Sequence, residues 1–166
     1  MVCLLFAQAR RGFSLVELMV VLAIVAIIAA IAVPSFDSFM LSSRLSTYAS
    51  DFSASARLAR SEARKRNVPV TLCVSSNGSS CTSGGWGGGW VVLSGATVIR
   101  QHGAVRSGYQ MTSATASVTF QPNGFSSTQA VVTVCRSSPV GNQERVVTVS
   151  ATGRTTISKT QTGSCS

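Results

Sequence analysis

Three hydrophobic periods follow one another along the chain, and each predicts a different element. From Leu18 to Val33 every residue is apolar. Taken as a helix from Phe13 to Val33, at 1.5 Å rise per residue, this run is about 30 Å long, close to the hydrocarbon thickness of a bilayer. Pro34 follows, and because it lacks an amide donor it predicts a kink near the membrane surface rather than an end. Beyond it Leu41, Leu45, Tyr48, Phe52, Ala56, Ala59 and Ala63 recur every three or four residues. That spacing lays one apolar stripe along a helix, with Ser42, Ser43, Arg44, Asp51, Arg57, Arg60, Glu62 and Arg64 on the other face. The pattern predicts one helix over 13–66, its first half in lipid and its second half covered by a small domain. Asn67, Val68 and Pro69 stop it.

After Pro69 the period drops to two. Runs rich in β-branched residues at 68–75, 89–94, 96–100, 117–121, 130–136, 145–150 and 154–159 are bounded by Gly, Ser or Asn turns. No helical pattern separates them, so they predict antiparallel sheets laid against the apolar stripe, an α+β fold. The stretch from Ser75 to Gly89, poor in complexity, reads as a mobile surface loop.

Within the first run one carboxylate stands alone, Glu17, and Arg10, Arg11 and Gly12 precede it. A carboxylate at mid-bilayer costs roughly 2.5–3.5 kcal/mol on insertion scales, so it calls for a partner. A free α-amino group on Phe13, its own or a neighbour's, would serve. Two plainer readings compete: a secretory signal cut after Ala30-Ile31-Ala32, and a generic single-pass anchor. The run is longer than the usual apolar region of a secretory signal, and an anchor leaves Gly12 and Glu17 unexplained.

Gly12-Phe13-Ser14-Leu15-Val16-Glu17 resembles the prepilin signal of type IV pilins and type II secretion pseudopilins. The resemblance implies cleavage between Gly12 and Phe13 by a membrane peptidase, N-methylation of Phe13, and Glu17 as the charge that registers subunits in a filament. Residues 1–12 then form a leader, 13–33 a transmembrane or filament-core helix, 34–66 the amphipathic half of the same helix, and 67–166 a β-rich domain. The W-x-x-G-W-like spacing of Trp86 to Trp90, the basic helix end at 61–66 and the closing strand after Gly153-Arg154 resemble the GspH/FimT family of minor pilins and pseudopilins. That family has a type IV pilin-like fold, one long helix packed on antiparallel sheets.

Composition bounds what else the chain does. With about 30 of 166 residues in leader and span, one modest domain remains. Lys and Arg number 14 against 5 Asp and Glu, and 12 against 5 once Arg10 and Arg11 are gone. Such a balance suits nucleic acid, an anionic lipid surface or an acidic neighbouring subunit. Cys3 lies in the leader, which leaves Cys73, Cys81, Cys135 and Cys165. Four cysteines outside the cytoplasm read as two disulfides with three possible connectivities, of which Cys73–Cys81 and Cys135–Cys165 are favoured. With no C-x-x-C and His102 the single histidine, neither a metal site nor any other cofactor is expected.

Candidate chemistry reduces to two constellations. The glycine-rich stretch 83–93 is followed by a strand rather than a helix, so it predicts Trp86 and Trp90 packing at a turn instead of a phosphate cradle. A ligand-binding or adhesin-like use of this loop is the rival from another class. The second is basic: Arg100, Arg106, Arg136, Arg145, Arg154 and Lys159 face only Glu144 beyond Asn67. Of these Arg100, Arg136, Arg145, Arg154 and Lys159 are the candidates for gripping a double-stranded DNA backbone. In some FimT-type proteins a G-R-x-R motif here carries DNA uptake, and Gly153-Arg154-Thr155-Thr156 keeps the first arginine but not the second. A solvated basic face is the plainer alternative. Catalysis finds no support, because His102 has no acid nearer than forty positions and no G-x-S-x-G occurs. The expectation is a non-enzymatic minor pilin-like subunit, single-pass in the inner membrane with its C-terminal domain in the periplasm, and assembled with other pilins. Its role is either pilus initiation at the tip or, alternatively, protein export as an H-type pseudopilin.

Overall fold

Asn67 ends the helix as its composition suggests, by taking the left-handed conformation at φ 55° that a C-terminal cap requires. The computed structural model describes residues 13–160, and the leader expected over 1–12 and Cys165 lie outside them. Helix α1 runs over Leu15–Arg66 and stays helical through position 34, where proline has no amide to donate to the ladder. Arg64, Lys65 and Arg66 occupy its last turn, where cations meet the negative end of the helix dipole.

The chain divides into two compact units, Met1–Phe39 and Met40–Ser166. In the first, apolar side chains from Leu15 to Ile31 are exposed on every side of the helix. This segment is apolar and long enough to cross a membrane.

In the second unit two four-stranded sheets share one core with the amphipathic part of α1. Strands β1 (Val70–Val74), β2 (Trp90–Ser94), β3 (Thr97–His102) and β5 (Ser117–Phe120) form one sheet in the order β3-β2-β1-β5. Strands β4 (Tyr109–Thr112), β6 (Ala130–Ser137), β7 (Val140–Val149) and β8 (Thr155–Thr160) form the other in the order β4-β6-β7-β8. All pairings are antiparallel. The expected stripe is buried at Leu41, Leu45, Phe52, Ala56, Ala59 and Ala63, with Ala49 added and Tyr48 at its margin. Opposite it stand Val70, Leu72, Trp90, Val118 and Phe120 from one sheet and Val132, Val134, Val147 and Val149 from the other. The three alanines let backbone approach backbone, while Phe52 fills the wider end, edge-on to Trp86 at 4.9 Å and Trp90 at 5.8 Å.

Two strands differ from the sequence pattern. β4 was not expected, since Tyr109-Gln110-Met111-Thr112 is short and poor in β-branched residues, and its neighbour β6 supplies the order instead. β7 starts five residues before the run at 145, because Gly141, Asn142 and Gln143 are carried into the ladder by the hairpin with β6.

The loop expected to be mobile is tied down. Cys73 and Cys81 form a disulfide, Asn77 Oδ1 accepts from the amides of Ser79 and Ser80, and the 3-10 turn Trp86–Gly88 puts Trp86 into the core. The indole N–H of Trp86 donates to the Thr115 carbonyl at 2.7 Å. Cys135 is also disulfide-bonded, and its expected partner Cys165 is beyond the described residues.

Candidate functional site

At the N-terminus of α1 the exposed hydroxyl of Ser14 accepts from the Glu17 amide at 3.2 Å. A serine followed three residues later by glutamate is the pattern of a capping box, and it settles one of the donors a helix start leaves unpaired. Glu17 is the acid of the first turn, on the positive end of the dipole, and is exposed together with Phe13, Leu15 and Val16. Gly12, the other half of the expected cleavage site, lies outside the described residues.

The basic candidates scatter. Arg100 is exposed on β3, in the sheet that does not hold Arg136, Arg145 and Lys159. Arg136 on β6 is partly buried. Arg145 corrects the sequence reading, because only 8% of it is exposed: its Nη2 donates to Ser42 Oγ at 2.8 Å and its Nη1 to the Glu144 carbonyl at 3.0 Å. It shares the parity of Val147 and Val149, so it points to the helix and has no surface to offer a phosphate. Lys159 is exposed on the edge strand β8, opposite Arg145 in register and five residues, or roughly 17 Å, from Arg154.

Arg154 has different company. It leaves a turn in which the Ser150 amide donates to its carbonyl at 2.9 Å and Gly153 takes φ +72°. A Cβ at Gly153 would lie 2.3 Å from the Gly124 carbonyl and 3.0 Å from Arg60 Nε, so this turn packs on Arg60 and on the 121–125 turn. Arg60 Nε donates to that same Gly124 carbonyl at 2.9 Å. Arg57 is held by Ser53 Oγ, at 2.8 Å from Nη2, and Ser53 in turn donates to Thr155 Oγ1 at 3.0 Å. Helix periodicity placed Arg57, Arg60 and Arg64 on the outward face, but only the tertiary turns reveal that Arg60 packs against Gly124 and Gly153 and Arg64 against Gly124.

His102 is not solitary either. Its ring stacks on Trp90 at 3.9 Å and 4°, Nε2 lies 3.4 Å from Asp51 Oδ2, and Nδ1 lies 2.8 Å from the Gly103 carbonyl. Trp90 Nε1 donates to Ser55 Oγ at 3.0 Å. With Trp86 and Trp90 both about 1% exposed, neither indole is presented to a ligand.

Residues 48–153 match the family described as type II transport protein GspH, and residues 8–33 match the prokaryotic N-terminal methylation motif. No curated protein matches the chain. Among solved structures the fold is similar to the type IV minor pilin FimU of Pseudomonas aeruginosa, with 21% identity and TM-score 0.56 over 69% of this chain and 92% of that one. It is similar also to the minor pseudopilin EpsH of Vibrio cholerae, with 10% identity and TM-score 0.51 over 69% of this chain and 96% of that one. A methylation motif at the head of an exposed apolar helix, followed by two sheets that match over most of their length, places the chain in the GspH family of minor pilins and pseudopilins.

Proposed function

We propose that the protein is a minor subunit of a type IV pilus, acting at or near the tip to start assembly. In this reading a prepilin peptidase cuts between Gly12 and Phe13, Phe13 is N-methylated, and the helix over 13–33 waits in inner-membrane lipid with the domain over 67–166 in the periplasm. Incorporation exchanges lipid for the Leu, Ile and Val side chains of other pilins, and Glu17 pairs with the amine of a neighbouring Phe13 to fix axial register. The observation that carries the reading is the helix of the first unit, apolar and exposed on all sides from Leu15 to Ile31 with one acid in its first turn. Mass spectrometry of purified filaments tests it: a peptide starting at methylated Phe13 is expected, and a mature chain starting after Ala32 or retaining residues 1–12 would overturn it.

The family description, a type II transport protein, favours a second reading as a pseudopilin that exports folded proteins. Deletion separates the two. Loss of surface filaments fits the pilus, and secreted proteins stranded in the periplasm fit the pseudopilus. The basic surface supports a further element of the pilus reading, contact with double-stranded DNA through phosphates. Full-length protein in neutral detergent is expected to bind duplex at micromolar or weaker affinity, with a salt slope of about −0.9 per phosphate contacted. Absence of binding at low salt would make the basic face an assembly surface.

A further inference from the structure

Strand β1 has two faces, and its cysteine is on the one turned away from the helix. Val70, Leu72 and Val74 join the core against α1, whereas Cys73 alternates with them and meets Val91 and Leu93 of β2 in a small separate apolar cluster. The two ends of its disulfide differ in access. Cys73 is 1% exposed, while Cys81 is open to solvent and lines a surface cleft of about 600 Å³ together with Val68, Pro69, Leu93 and Gly95. The residues flanking Cys81 are placed without help from sulfur. Asn77 Oδ1 accepts from the Ser79 and Ser80 amides, each at 3.0 Å, and the Thr82 amide donates to the Val74 carbonyl at 2.8 Å. The Ser76 amide in turn donates to Thr82 Oγ1 at 3.0 Å. Opening the S–S bond therefore leaves the two cysteines held as neighbours.

A disulfide with one open end, one sealed end and a scaffold that outlasts it is suited to opening and closing. We propose that Cys73–Cys81 is a thiol–disulfide exchange site entered at Cys81. Its substrate class is a thiol in one direction and a disulfide in the other, carried by a small peptide thiol or by a C-x-x-C protein. An incoming thiolate attacks Cys81 Sγ, the S–S bond breaks, and its electron pair leaves on Cys73, which takes up a proton. A second thiolate then attacks the incoming sulfur and releases Cys81, so two thiols are oxidised to a disulfide and the protein cystine is reduced to two thiols. With a disulfide as oxidant the same steps run backwards. Exposed Cys81 attacks first, and Cys73 then attacks Cys81 Sγ and expels the carrier. Entry at Cys73 is closed by its burial. Held as neighbours, the reduced pair recloses faster than either cysteine finds another partner. The assignment does not depend on the filament reading.

The test uses the full chain in neutral detergent with excess reduced glutathione, quenched in acid and mapped by peptide mass spectrometry. A glutathione adduct on Cys81 with Cys73 as free thiol is expected, and an adduct on Cys73 or on neither would overturn the site. Two variants read the same point from the oxidising side. Toward glutathione disulfide, Cys81 in Cys73→Ser is expected to react about tenfold faster or more than Cys73 in Cys81→Ser, and the two rates should converge in urea. Equal rates in native buffer, with circular dichroism matching the parent, would overturn it. Reduced thioredoxin at equal thiol concentration separates the two carriers. If a C-x-x-C protein uses the cleft, Val68→Asp on its wall should slow thioredoxin about tenfold and leave glutathione unchanged. Unchanged rates with both, and the adduct still on Cys81, support the site with the small thiol as its substrate.

Discussion

Phe52 shows how much of the core hangs on single side chains. It is fully buried on α1, and its ring meets the edges or faces of both indoles, so truncation leaves a cavity that two rigid rings cannot collapse into. Phe52→Ala is expected to cost about 3–5 kcal/mol, read from the midpoint of denaturant unfolding, and a loss near zero would mean the tryptophans repack. Gly153 presents the opposite problem, a position with no room. Its φ of +72° and the Gly124 carbonyl behind it make Gly153→Ala destabilising by roughly 1–3 kcal/mol, checked by thermal melting. At this scale the sequence was legible where a residue's role follows from its own period. Phe52 announces itself as core by the spacing of the stripe. Arg145 was misread because its charge was counted before its parity, yet Val147 and Val149 two and four residues on already placed that position on the buried side. Arg57, Arg60 and Arg64 could be assigned to the outward face, but the packing of Arg60 on Gly124 and Gly153 could not be read, since it depends on two turns nearly thirty residues apart.

Elements held by a few bonds invite tests of a different kind. The loop between β1 and β2 is closed by Cys73–Cys81 across a sequence separation of 8, and chain-entropy reasoning gives such a short loop roughly 2–3 kcal/mol. Cys73→Ser with Cys81→Ser is expected to lower stability by that amount in oxidised protein, while dithiothreitol should bring the parent down to the variant only after Cys135 is also accounted for. The end of α1 carries a pH signature. The hydrogen bond from Arg66 holds the Glu62 carboxyl below its usual range, opposed next by desolvation, with the charges of Arg66 and Lys65 adding lesser downward contributions. A depressed carboxylate contributes stability that is present above the ordinary glutamate value and lost as pH falls through the lower, folded one. Glu62→Gln should therefore melt slightly below the parent at neutral pH and coincide with it in strong acid. The pair is exposed, so the difference should fade in high salt, and a difference that persists at low pH would assign it to packing. Element boundaries follow the same logic of strong and weak local signals. β1, β2, β5 and β6 were readable from β-branched alternation, whereas β4 and the first half of β7 owe their order to partners across the sheet.

The whole chain must satisfy two solvents. The unit Met40–Ser166 closes a core, while the unit Met1–Phe39 leaves Leu15, Val16, Leu18, Met19 and the isoleucines beyond them uncovered, which only lipid or other apolar helices can satisfy. Glu17 decides between two accounts of that segment. If its work is local, as a partner to Ser14 at the helix start, an amide serves equally, because capping boxes accept glutamine at this position. If its work is to meet the amine of a neighbouring Phe13 inside an apolar bundle, the charge itself is needed, and an amide leaves an ammonium without a counter-ion. Glu17→Gln is therefore expected to keep the membrane-fraction level of the parent while its share in sheared filaments falls about tenfold or more. Ser14→Ala, which removes the hydroxyl and keeps the carboxylate, should weaken the helix start yet still enter filaments. Both amounts are read by quantitative immunoblot of membranes and filaments from the same cells. Normal filament entry by Glu17→Gln would show that Glu17 caps a helix and does not register a subunit.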